Sequence, residues 1–139
     1  MKFDAAVSFV LDHEGGYSND PNDPGGETNY GISKRSYPSL DIKKLTREQA
    51  IEIYRTDYWQ KSGASQMDER FRLVHFDTAV NCGVSKAKEI KDNVHAYLEE
   101  YLWLRAQHYI KLVKKKPSMK KYLNGWMNRL NDLYEYEMR

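Results

Sequence analysis

The chain has 139 residues, enough to bury one sizeable core and too few for two. Hydrophobic residues make up 40% and aromatic residues 13%, which excludes an intrinsically disordered chain, and no uncharged run approaches the 18 residues of a membrane span. Net charge is +2, with 10 basic against 13 acidic groups in residues 1–85 and 12 against 7 in residues 86–139. That imbalance is too mild to name a nucleic acid as partner, and Lys114-Lys115-Lys116 before Pro117 reads as a solvated helix end. Cys82 is the only cysteine, so an intrachain disulfide and a cysteine-rich zinc site are both excluded. The first residues lack the unbroken apolar core of a secretory leader, so the expectation is a soluble protein made in the cytoplasm.

Helical spacing dominates the pattern. Phe3, Ala6, Val7, Val10 and Leu11 recur at i, i+3, i+4, i+7 and i+8, one buried face of a helix that Gly15-Gly16 should stop. The segment from Gly15 to Gly31 holds half of the four prolines and five of the eight glycines, so it must be turns, with a short hairpin near residues 28–32. Thr46-Arg47-Glu48-Gln49 reads as a capping box opening a helix to about Lys61. Residues from about Glu69 to Asn81 are apolar on most sides, which predicts a central buried helix. After Val84 the chain is expected to lead almost directly into a long helix from about Val94 to Lys115. The last helix carries a stripe of Met119, Tyr122, Leu123, Trp126, Met127, Leu130, Leu133 and Tyr134, and Trp126 reads as core packing.

Glu14 is the first candidate for chemistry. It continues the buried stripe of the first helix and sits at its C-terminal end, and both circumstances disfavour the charged carboxylate, as a general acid requires. Alternatively it pairs with an arginine such as Arg35 or Arg105 and ties the loop down. Asp23 and Thr28 follow on the glycine-rich loop. Two carboxyl groups flanking a bond suit glycoside hydrolysis, and a threonine hydroxyl could position water; Asx-turns around Pro21 and Pro24 are the plainer reading of Asp23. Asp77 and Asn81 lie one turn apart on the central helix, either as hydrogen-bonding struts or as contacts to sugar amides. Tyr30, Tyr58 and Trp59 could stack on sugar rings. The loop fails as a calcium site, because its fifth position is Pro24 and its twelfth Gly31. His13, His75, His95 and His108 lack zinc spacing, and neither a phosphate-binding loop nor a serine elbow is present.

His13-Glu14-Gly15-Gly16-Tyr17, Asn19-Asp20-Pro21 and the run from Asp23 to Ser33 together resemble glycoside hydrolase family 108, N-acetylmuramidases of phages and bacteria. The resemblance continues through 50–54, Asp57-Tyr58-Trp59 and 76–84, and returns at Gly125-Trp126 and Arg129. It implies a mainly α, lysozyme-like helical domain over residues 1–139. A small irregular loop or β-hairpin at 14–33 would carry part of the active site, with C-terminal helices at 94–138. It makes Glu14 the catalytic acid and, by looser analogy with phage lysozymes, Asp23 and Thr28 its helpers. The expected reaction is cleavage of the β-1,4 bond between N-acetylmuramic acid and N-acetylglucosamine. The expected partner is a peptidoglycan glycan strand, with no cofactor, metal, nucleic acid or membrane insertion, and with the protein a monomer. Reaching the wall would then take a holin or another export route. A lytic transglycosylase and a non-catalytic wall-binding module are the alternatives.

Overall fold

A computed structural model describes residues 1–21 and 25–139. The architecture is mainly helical and lysozyme-like, as the sequence predicts, with one small antiparallel sheet. Helix α3 (Glu69–Cys82) lies at the centre. It is buried without a break from Leu73 to Ala79, the burial that its all-sided apolar pattern requires. Helices α1 (Phe3–His13), α4 (Val84–Asp92), α5 (Leu98–Lys115) and α6 (Leu123–Glu137) pack against it. Among the described residues no helix is long and apolar enough to cross a membrane.

Helix α1 buries Phe3, Ala6, Val7, Val10 and Leu11, together with Phe9. Its end differs from the expected glycine stop. Neither Gly15 nor Gly16 adopts a positive φ; Glu14 itself turns extended (φ −93°, ψ 141°) while its N–H still bonds the Val10 carbonyl at 3.0 Å. The helix therefore ends at the carboxylate, and the glycines only release the chain into the loop.

The hairpin pairs β1 (Thr28–Asn29) with β2 (Ile32–Ser33), Thr28 opposite Ser33 and Asn29 opposite Ile32. Tyr30 and Gly31 form its two-residue turn with φ of 52° and 79°, the double left-handed geometry that matches strand twist. Ser18 bridges Thr28 on the other side through two backbone hydrogen bonds. The buried Asn29 amide donates to the Ile42 carbonyl at 3.0 Å, and Ile32 enters the core.

Helix α2 (Arg47–Tyr54) opens on the expected capping box: Thr46 Oγ1 accepts from the Gln49 N–H, and Gln49 Oε1 accepts from the Thr46 N–H. It then widens into a π-helical segment, Arg55–Gln60. Trp59 is 7% exposed, edge-on to Phe3 and Phe76 at ring separations of 5.6 and 5.3 Å. It belongs to the core, which removes it from the sugar-stacking candidates.

Two corrections concern the C-terminal half. The span from Val84 to Asp92 is helix α4, and α5 begins at Leu98 rather than Val94. Only Val84, Ala87 and Ile90 mark the apolar face of α4, a stripe too thin to stand out among Ser85, Lys86, Lys88, Glu89 and Lys91. A 3-10 segment, Pro117–Tyr122, precedes α6, so Met119 and Tyr122 lie outside that helix, and Tyr134 is exposed.

His75 is buried and neutral in its hydrogen bonding. Its Nε2–H donates to the Ser62 carbonyl at 3.0 Å and its Nδ1 accepts from the Tyr101 hydroxyl at 2.7 Å. Burial pushes its pKa below the usual histidine value. The unfolded chain therefore takes up a proton at this site that the folded chain resists. Stability present above about pH 6.5 is lost as pH falls through that value toward the folded pKa. Melting temperatures between pH 7.5 and 5 are expected to fall, and more steeply for the wild type than for His75→Gln; equal slopes would remove His75 as the cause.

Candidate active site

The site is built where the C-terminal end of α1 meets α6 over the top of α3. Arg129, on α6, presents one guanidinium to two carboxylates. Its Nη1 donates to Glu14 Oε1 at 2.8 Å, while its Nε and Nη2 grip Asp77 at 2.7–3.1 Å. Asp77 is fully buried and its other oxygen lies 2.8 Å from Arg105 Nη1 on α5, also fully buried. Arg105 continues the network: it donates to Thr78 Oγ1 at 3.0 Å and to the Tyr109 hydroxyl at 2.9 Å, and Tyr109 donates to Asn81 Oδ1.

Two carboxylates and two guanidiniums balance. Burial pushes the Asp77 carboxyl up, but Arg105 and Arg129 outweigh it and hold Asp77 below the ordinary carboxylate range. Burial likewise works against the Arg129 charge, and Asp77 and Glu14 more than restore it. Every charge here needs its neighbours, because a buried ion pair is close to break-even when complete and costly when broken.

The hairpin closes the site from the opposite side. A Cβ built on Gly31 would stand 2.8 and 2.9 Å from the Glu14 Cγ and Cδ and 2.4 Å from the Tyr54 hydroxyl. The bare backbone of Gly31 thus lies against the Glu14 carboxyl group, and the Tyr54 hydroxyl fastens the turn by donating to the Tyr30 carbonyl at 2.7 Å. Burial and the nearby Glu14 charge both push the Tyr54 hydroxyl pKa up, so it stays a donor. In the loop, Tyr17 donates to Glu27.

The surface carries open grooves, one of them bordered by Arg129. One, of about 350 Å³, is lined by Arg129 and His13 together with Asn81, Lys121, Trp126 and Asn128. The other, of about 390 Å³, is lined by Ser36, Tyr37, Asp57, Tyr58, Lys61 and Gly83. Tyr37 donates to Asp57 at 2.7 Å there. Among the described residues no group of three His, Cys, Asp or Glu side chains could hold a metal ion.

The candidates read from the sequence separate accordingly. Glu14 is at the centre, with 21% of its side chain exposed, and its arginine partner is Arg129, not Arg35 or Arg105. Thr28 is on β1, in the hairpin whose turn touches Glu14; Asp23 lies outside the described residues. Asp77 is a strut: a carboxylate with no exposed surface and two arginine partners does not face a sugar. Asn81 and Tyr58 each line a groove, and Tyr30 is half-buried in the turn. Trp126, read as core, stacks on Tyr109 (4.5 Å between centroids, 12° between planes) and also lines the first groove. Sequence reasoning gave Arg129 no role beyond its place in the family resemblance, and Arg105 only that of a possible partner for Glu14. The available signal was charge inside an apolar stripe: Arg129 between Trp126 and Leu133, Arg105 between Leu102 and Tyr109.

The model of the glycosyl hydrolase 108 family matches residues 7–83, more than half of the chain, from within α1 through the hairpin to the end of α3. The chain belongs to that family. The solved structure of Brucella abortus SagA is similar over 98% of this chain and 93% of that one, with a TM-score of 0.79 and 22% identity, a likeness of fold. No curated protein matches the sequence. The near-complete cover of both chains shows that helices α4 to α6 are part of the shared fold.

Two substitutions probe this construction. Gly31→Ala forces a Cβ into a left-handed position against Tyr54 and Glu14. It should cost about 2–4 kcal/mol in urea unfolding and displace the Glu14 carboxylate; an unchanged midpoint would show that the turn relaxes freely. Asp77→Asn takes from Arg105 its carboxylate partner and leaves Glu14 as the one countercharge for two buried guanidiniums. It should cost about 3–5 kcal/mol, read from the same unfolding curves.

Proposed function

We propose that this glycoside hydrolase cleaves the β-1,4 bond between N-acetylmuramic acid and N-acetylglucosamine in peptidoglycan, with Glu14 as general acid. The observation that carries the reading is the Glu14–Arg129–Asp77 arrangement. One Glu14 oxygen is held by a guanidinium that is itself locked in place. The other has no partner among the described residues, and the arginine that holds Glu14 borders a groove of about 350 Å³. Family membership supports the hydrolase class, and the resemblance of the Glu-Gly-Gly-Tyr motif supports Glu14 and the wall substrate.

The free Glu14 oxygen protonates the bridging oxygen as its bond to the muramoyl anomeric carbon breaks, so the leaving sugar departs as an alcohol. Positive charge then spreads over the muramoyl ring. Water adds its hydroxyl to the anomeric carbon, and its remaining proton passes to Asp23 from the loop, with Thr28 orienting the water. Arg129 compensates the Glu14 carboxylate that protonation of the leaving group creates, and its grip on Asp77 keeps it from following the substrate. Carboxylate separation decides between retention and inversion.

The test is mass spectrometry of soluble fragments released from purified walls. Wild type should release fragments with reducing muramic-acid ends. Glu14→Gln, nearly isosteric and still able to bond Arg129, should lower the yield at least a hundredfold, the scale of a lost general acid. Ends in 1,6-anhydromuramic acid would reassign the protein as a lytic transglycosylase. An unimpaired Glu14→Gln would sink the catalytic role of Glu14.

A further inference from the structure

The groove on the Arg129 side differs in charge from the one on the Tyr58 side. From Tyr101 to Asn131 the chain has eight basic residues and no acidic one. Arg105 and Arg129 are committed to Asp77 and Glu14. The other six are lysines, and among the described residues none of them has a carboxylate within ion-pair distance. The 3-10 segment Pro117–Tyr122 presents Lys120 and Lys121, both exposed, just before α6, and Lys121 lines the groove that Arg129 borders. Among the described residues one carboxylate lines that groove, Asp132, hydrogen-bonded to His13 Nε2 at 2.8 Å, so the positive surplus comes from Lys120 and Lys121 together.

The groove is also built in advance of any ligand. Trp126 is stacked on Tyr109, whose hydroxyl is fixed by Arg105 and Asn81, so the aromatic wall cannot swing freely. Asn81 and Asn128 add amide groups. The opposite groove instead offers hydroxyls from Ser36, Tyr37 and Tyr58, and its Lys61 is matched in charge by Asp57.

A glycan of N-acetylated sugars is uncharged along its backbone. Its carboxylates sit on the substituent that the muramoyl sugar carries through its lactyl ether, either the lactyl group itself or the peptide attached to it. We propose that the groove formed by Arg129, Trp126, Asn81 and Lys121 receives that carboxylate-bearing arm, with Lys120 and Lys121 supplying the charge, while the Tyr58 side takes neutral sugar. This rests on the cleavage assigned to Glu14 and specifies it: the enzyme selects muramoyl sugars by the anionic arm and not by the backbone alone. Exposed lysines act with modest strength, so the expected discrimination is a few-fold and falls with salt.

The experiment compares soluble glycan strands from one purified wall, freed of secondary polymers, in three forms: untreated, with every carboxyl group amidated, and with the peptides removed to leave free lactyl carboxylates. Wild type should show a KM about three- to fivefold higher on the amidated strands with similar kcat, and the difference should shrink in high salt. The double variant Lys120→Glu/Lys121→Glu, checked by circular dichroism and melting temperature, should bring the KM ratio of amidated to untreated strands to one or below. Peptide-free strands that keep the low KM assign the recognised group to the lactyl carboxylate; a raised KM assigns it to the peptide. Equal wild-type KM values on untreated and amidated strands overturn the proposal. Binding of the same strands to Glu14→Gln reads the groove without catalysis. A protein that cleaves none of the three therefore rejects the assigned reaction, while the ratio of dissociation constants still decides the groove.

Discussion

One guanidinium organises this molecule. Arg129 has a nitrogen for the partly buried carboxylate of Glu14 and two for the fully buried carboxylate of Asp77, and it comes from a helix more than a hundred residues away from Glu14 in sequence. The interaction is tolerable only as a whole. A guanidinium in a dry interior is costly, Asp77 offsets that cost, and Arg105 offsets the charge that Asp77 would leave. The consequence is geometric. Helices α1, α3, α5 and α6 are brought into register around the site by the same contacts that neutralise it, so the Glu14 end of α1 cannot drift without exposing an unpaired charge.

The hairpin adds the complementary constraint. Its turn closes on Glu14 with a residue that has no side chain, held by the Tyr54 hydroxyl from α2, so the carboxyl group is confined by an arginine on one side and by backbone on the other. The rest of the first helix supports that placement through ordinary burial: Phe3 packs against Trp59 and Phe76, and Val7 and Val10 are buried beside α3. The charged network orients the site, and the apolar core supplies the burial that makes its low-dielectric interior possible.

Much of the fold was readable from local rules. The capping box at Thr46, the stripe of α1 and the all-sided burial of α3 follow from side-chain periodicity and hydrogen-bonding chemistry that act within a few residues. Helix α4 was not readable, because three apolar residues among lysines do not distinguish a helix packed on two neighbours from a polar connection. Trp59 illustrates the same limit from the other side: an aromatic residue next to Tyr58 and Asp57 reads equally as a sugar platform or as core, and the π-helical widening after Tyr54 turned it inward.

The sequence by itself determined the helical class, the irregular loop with its tight turn, and Glu14 at the end of the first helix, since periodicity, glycine and proline act locally. The tertiary structure alone decided which arginine meets Glu14, that Asp77 is a strut, and that the two grooves differ in charge. Those outcomes depend on how helices far apart in the chain cross one another, and no spacing along the sequence encodes the distance between an arginine on α6 and a carboxylate at the end of α1.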